Sequence, residues 1–185
     1  MPEISHRMDT CKSKHLVELL QQSAVEHLTT FRQLETHEFS SFGRNVTTDF
    51  EALYAYKCGE YQRCLQLSTH NVRTLIGVDI SLVSTYPEFI QLMDDDIASL
   101  TALTLIVNPS CRDDIYSVSV FQLPLSLYLI TQCQMKLHHP VTSLAQTLDY
   151  VEVARRYLYN DFTLDQLLLK LTERKILLYI SSELV

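Results

Sequence analysis

The stretch Thr48-Asp49-Phe50-Glu51-Ala52-Leu53-Tyr54-Ala55-Tyr56-Lys57-Cys58-Gly59-Glu60-Tyr61-Gln62-Arg63-Cys64-Leu65 holds a helix start, a helix stop and a second start in close succession. Thr48 and Glu51 have capping-box spacing: the hydroxyl can accept from the Glu51 backbone N–H while the carboxylate reaches back. Asp49 and Glu51 also suit the positive end of a helix dipole. Gly59 provides the left-handed residue that ends a helix. A second helix is predicted from Tyr61 to about Thr74, closed by Gly77. Thr48 to Leu75 is therefore expected to form a tight antiparallel helix pair.

Helical periodicity extends outward in both directions. Upstream, Leu16, Leu20, Ala24, Leu28, Phe31 and Leu34 recur at spacings of three and four, which predicts a long helix from about Cys11 to Phe42. Gly43-Arg44-Asn45 reads as its stop. Downstream, Val78 to Tyr86 reads as a loop, and Pro87 to Met93 as a short helix with proline in its first turn. Asp94-Asp95-Asp96 open the apolar run Ile97 to Val107, which Asn108-Pro109 stops. An uncharged helix follows from about Ser117 to Leu137, broken by His138-His139-Pro140. Pro124 is tolerable there only near the start.

Val141 to Tyr159 is helical again, with Leu144, Leu148, Val151 and Leu158 inward. A second capping box, Thr163-Leu164-Asp165-Gln166, with Phe162 and Leu167 at the staple positions, opens a last helix reaching about Ser182. Leu164, Leu167, Leu168, Leu171 and Leu178 form one stripe on that helix. Leu169, Ile176 and Ile180 form another, so the helix is expected to meet two neighbours, or one neighbour and a partner outside the domain. The fold class read from this pattern is all-α, with stacked antiparallel helical hairpins or an irregular bundle of about six to eight helices over residues 1–185.

Composition narrows the kind of work such a domain does. The 185 residues carry 15 Lys and Arg against 22 Asp and Glu, a net charge of −7, with 46% hydrophobic residues. An acidic balance argues against nucleic-acid binding, which needs clustered cations against phosphate. The three glycines, Gly43, Gly59 and Gly77, are too scattered for a Walker A loop, a dinucleotide fingerprint or a nucleophile elbow. The five cysteines, Cys11, Cys58, Cys64, Cys111 and Cys133, fit neither a zinc ribbon nor a disulfide framework, so reduced cysteines in a cytoplasmic protein are expected. The charged stretch Met1 to Leu20 has no signal-peptide core, which leaves the sequon at Asn45 idle. Ile115 to Met135 lacks charge but contains three glutamines, which fits a buried helix better than a membrane span.

The segment Ala52 to Leu65 resembles the middle of a tetratricopeptide repeat. Ala52 stands at that family's small position in the first helix, and Gly59, Glu60 and Tyr61 stand at its turn. Cys64 replaces the usual alanine in the second helix. Thr48 replaces the early aromatic residue, Asn71 the late small one, and the terminal proline is missing. The period of about 34 residues does not recur, since Met93 stands where a second turn glycine would fall. A weak echo lies in Lys136 to Leu144, where Ser143-Leu144 match Cys64-Leu65. In this family the first helix of each pair lines a groove that holds peptides. The resemblance therefore implies peptide contacts from Leu53, Tyr56 and Lys57.

No catalytic constellation emerges. Asp94-Asp95-Asp96 read as a solvated helix start, and Asp113-Asp114 as a loop. The seven histidines show no metal-ligand spacing. No catalytic residue, metal or cofactor is expected. The terminal Glu183-Leu184-Val185 has the acidic-x-aliphatic form that strand-addition domains capture. The expected function is a non-enzymatic scaffold or adaptor module that binds a protein or peptide, neither nucleic acid nor membrane, with self-association through the last helix. The alternative is an accessory or regulatory helical domain of a larger enzyme or immune-sensor protein. Far-ultraviolet circular dichroism should show the double minimum of an α-helical chain; a single minimum at the strand position would refute the fold class.

Overall fold

A computed structural model of the chain describes residues 41–76, 94–107, 120–157 and 163–183. The expected helix Cys11 to Phe42 falls almost wholly outside these residues, as do the loop at 78–86, the short helix at 87–93 and the aspartates at 113 and 114. The described residues form six helices and no strand: α1 (Ser41–Lys57), α2 (Tyr61–Leu75), α3 (Asp95–Val107), α4 (Gln122–Lys136), α5 (Val141–Tyr157) and α6 (Thr163–Glu183). The all-α class is thus observed.

The hairpin turn between α1 and α2 forms as its residues dictate. Gly59 has φ +78°. Its N–H donates to Tyr56 C=O at 3.1 Å, and the Glu60 N–H donates to Ala55 C=O at 2.8 Å. This is the double bond of a Schellman ending, which satisfies carbonyls that a helix otherwise leaves open. The start of α1 departs from expectation. The helix runs through Gly43-Arg44-Asn45 without a stop and begins at Ser41, so Thr48 to Glu51 lie inside it. Backbone N–H groups within a helix already have carbonyl partners one turn back, so no capping box is needed there. Asp49 turns inward instead, and Glu51 pairs with Arg63 of α2.

α4 and α5 repeat this arrangement. His138 takes φ +51° at the end of α4. The His139 N–H donates to Gln134 C=O at 2.9 Å, and the His138 N–H to Met135 C=O at 3.3 Å. The echo continues into the cores of the two pairs. Leu65, Ser68, Val72 and Leu75 of α2 are buried, and so are Leu144, Thr147, Val151 and Ala154 at the corresponding places of α5.

The helices pack around α4. α1 and α6 both touch it; α2 packs against α1 and α4, and α5 packs against α4 and α6. α3 packs on α6 and reaches α4 through hydrogen bonds. Helix α4 is therefore enclosed on every side, and every residue from Gln122 to Gln134 is buried. Pro124 sits in its first turn, where a missing N–H breaks no helical bond. No helix among the described residues is long and apolar enough to cross a membrane.

Cys64, at the small position of the second hairpin helix, lies in the core and faces α4. Cys64 and Cys133 are both fully buried, and their thiols interact between α2 and α4. A Cβ placed on Gly59 meets nothing within 4 Å, so substitution there strains only the backbone angle. Gly59→Val should cost about 1–3 kcal/mol, or roughly 2–10 °C in melting temperature. Cys64→Leu should cost a similar amount by overpacking. Cys64→Ala should be the mildest of the three. Thermal melts that rank Cys64→Ala as the worst, or leave Gly59→Val at the wild-type temperature, would contradict this account.

Candidate protein-interaction face

The helices place the predicted peptide contacts unevenly. Leu53 is fully buried within the core and presents no surface to a ligand. Its burial follows from position: it lies on the side of α1 that faces α2 and α4, the two helices closing around it. Tyr56 is half-buried, with its ring 5.7 Å from that of Tyr61 and tilted by 57°. Burial, and next the Asp94 carboxylate, push the Tyr56 phenol well above its ordinary pKa. Lys57 is exposed at the end of α1.

A polar constellation that the linear sequence did not bring together lies beside Tyr56. Asp94 caps α3: its Oδ1 accepts from the N–H groups of Asp96 at 3.0 Å and Ile97 at 3.1 Å. The fully buried Tyr128 of α4 places its hydroxyl 2.9 Å from Asp94 Oδ1 and 2.8 Å from Asp96 Oδ2. Lys175 Nζ of α6 lies 2.8 Å from the same Asp96 oxygen. Burial alone would raise the Asp96 carboxyl. The hydrogen bonds from Lys175 and Tyr128 outweigh it and hold the group below its ordinary value. Of the triple expected to be solvated, Asp94 is buried, Asp96 is partly exposed and paired, and Asp95 is exposed. The correction has a simple origin: on a helix start, alternate residues can turn inward when a neighbouring layer supplies donors.

Two buried carboxyls hold the N-terminal part of α4. Asp49 of α1 accepts from Asn71 Nδ2 at 2.6 Å and from Ser126 Oγ at 3.4 Å. Asp165, in the first turn of α6, accepts from the Phe121 N–H at 2.9 Å, immediately before α4 begins. Burial raises both carboxyls, Asp49 well above its ordinary value and Asp165 to about 8. Further along α4, Gln134 Oε1 accepts from the Thr147 hydroxyl of α5 at 3.0 Å. Several of the polar groups that made this helix a poor membrane span, Ser126, Tyr128 and Gln134 among them, are bound by its neighbours, whereas the Thr131 hydroxyl is buried without a partner.

On α6 the expected double stripe is only partly inward. Leu164, Leu168, Leu169 and Ile176 are buried, whereas Leu178 is 60% exposed beside the exposed Leu177. These two leucines border a shallow depression with Lys170, Glu173, Arg174 and Ser181. Cys58, Cys64 and Cys133 are free thiols. Among the described residues no group of three or more His, Cys, Asp or Glu side chains is placed to hold a metal ion.

Sequence reasoning singled out Tyr56 and missed Tyr128 and Lys175. Tyr128 sits in an uncharged run that reads as core, and Lys175 lies far along the chain from Asp96. The one available signal was the polar content of that run.

Asp165 sets a pH dependence. The folded chain keeps this proton up to about pH 8, while the unfolded chain releases it near pH 4. Between those values the native state binds more protons, so stability falls as pH rises. The contribution is complete below the unfolded pKa and lost through about pH 8; Asp49 acts with the same sign. Asp165→Asn should preserve the acceptor to Phe121 and flatten the fall in melting temperature between pH 5 and pH 9, whatever the other groups contribute. Parallel pH profiles for the two proteins would contradict a buried, protonated Asp165.

No protein-family model, curated protein or solved structure matches the chain.

Proposed function

We propose that the chain is a non-enzymatic, tetratricopeptide-like binding module that acts in the cytoplasm as a scaffold or adaptor for a protein or peptide. The observation that carries this reading is the recurrence of one hairpin. Gly59 and His138 end first helices with the same pair of backbone bonds, and the second helices bury corresponding positions. The packing order supports it: each hairpin's second helix touches its own first helix and the next hairpin's first helix. That is the nearest-neighbour logic of a solenoid, in which one layer of helices offers a continuous face to a ligand. Tyr56 and Lys57 lie on the first helix of the first hairpin and remain the residues assigned to ligand contact; Leu53 serves the core.

Selection from a displayed random-peptide library tests this. Recovered peptides should share a motif, and Tyr56→Ala or Lys57→Glu should weaken their binding by about tenfold, near 1.4 kcal/mol. Absence of a shared motif, or binding indifferent to both substitutions, would reject the groove.

The exposed Leu177 and Leu178 favour a second reading, self-association through α6. Light scattering should then show a concentration-dependent dimer that Leu178→Lys dissociates. A monomer at all concentrations removes this reading and leaves the first intact.

A further inference from the structure

We infer that α3 is a displaceable self-ligand: its Asp94–Asp96 turn occupies a carboxylate-binding face built by Tyr128 and Lys175, and gives way to an acidic peptide of the same chemistry. This rests on the binding-module reading and names both the ligand class and the segment that guards the face.

The seating of α3 is poorly matched to its composition. Its inward face mixes Ile97 and the partly buried Leu100 with Thr101 and Thr104, while Leu103, Ile106 and Val107 are 50%, 70% and 73% exposed. A helix docked permanently on a core turns its apolar stripe inward. Here two threonines face in, and the Thr101 hydroxyl is buried with no hydrogen-bond partner. Tyr128, which meets the start of α3, shares a face of α4 with Thr131, and the Thr131 hydroxyl is also buried without a partner. Buried hydroxyls left unsatisfied favour any state that gives them water or a ligand.

The polar tip supplies the recognition chemistry. Two carboxylates, from Asp94 and Asp96, converge on one phenol. A phenol has one proton and donates to one oxygen at a time. Lys175 satisfies Asp96, in a partly exposed ion pair that salt and competing carboxylates can reach. The bare face would present a hydroxyl donor and an ammonium. That set is complementary to a peptide with two acidic residues two positions apart at the start of a helix. Releasing α3 would leave the other five helices joined by their own contacts, since α3 packs chiefly on α6.

The full-length chain tests this in two ways. In hydrogen–deuterium exchange, α3 amides should exchange at least a hundredfold faster than those of α4, and Asp94→Asn/Asp96→Asn should accelerate α3 a further tenfold without affecting α5. Asparagine also caps helices, so the double substitution removes charge without removing the cap. Exchange of α3 together with α4 in the wild type would overturn the proposal. That arm uses no added ligand, so its failure leaves the binding-module reading standing. In the second arm, a fluorescent peptide spanning Asp94 to Val107 is titrated into each protein. The doubly substituted chain should bind it at least tenfold more tightly than the wild type. Lys175→Ala in that background, or the same peptide with both aspartates replaced by asparagine, should lose the gain. Equal binding to wild type and double variant, or undiminished binding of the asparagine peptide, would refute the carboxylate-binding face. Lys175→Gln, which keeps the stem and removes the charge, serves as the check that loss of binding is not loss of fold.

Discussion

Burying α4 on every side imposes a condition on everything around it. Each polar side chain on that helix loses water and must be met by a neighbour, because an unmatched buried hydroxyl or amide costs about 1–3 kcal/mol. The neighbours supply what is needed from different directions. Asn71 of α2 and Asp49 of α1 gather around Ser126, Thr147 of α5 bonds Gln134, and Asp165 of α6 takes the Phe121 N–H. Tyr128 finds carboxylates from the start of α3. The orientation of five helices is thereby tied to the side chains of a sixth. Residues that would be unremarkable on a surface, such as Asn71 or Thr147, become structural.

The same burial explains the unusual electrostatics. A carboxyl enclosed among helices loses hydration that a few hydrogen bonds only partly replace, so Asp49 and Asp165 keep their protons well above the ordinary range. Asp96 differs because an ammonium lies against it. Of three aspartates contacting the same central helix or its leading residue, the two enclosed ones keep their protons and Asp96 does not. Its shallower place and the adjacent ammonium both act in that direction.

The two hairpin endings show how one geometry is reached by different residues. Gly59 adopts the left-handed angle without a Cβ penalty. His138 adopts it with one, held by the following bond from His139 to Gln134. A repeat search keyed to glycine finds the first and passes over the second. The likeness of the two hairpins lies in backbone hydrogen bonding and in the buried positions that follow, with little residue identity behind it. α3 lies between the two hairpins in sequence, and in space it packs on α6 and bonds to Tyr128 of α4.

Helical class, the Gly59 turn, the break at His138-His139-Pro140, the place of Pro124 and the buried nature of the uncharged run were all determined by the sequence alone. Local rules govern them: spacing of apolar residues, left-handed glycine, the missing proline N–H and the cost of hydrocarbon around glutamine. Tertiary structure decided the rest. Gly43-Arg44-Asn45 stays helical, so Thr48 and Glu51 cap nothing and Asp49 turns into the core. Leu53 sinks into the core, while Leu178 remains outside. Tyr56, Tyr128 and Lys175 come together around Asp94 and Asp96 although four separate helices supply or border them. No local rule reaches such contacts, because a helix records only which residues share its own faces. Which face meets which neighbour depends on the summed burial of all six helices, and that sum is settled only when they pack.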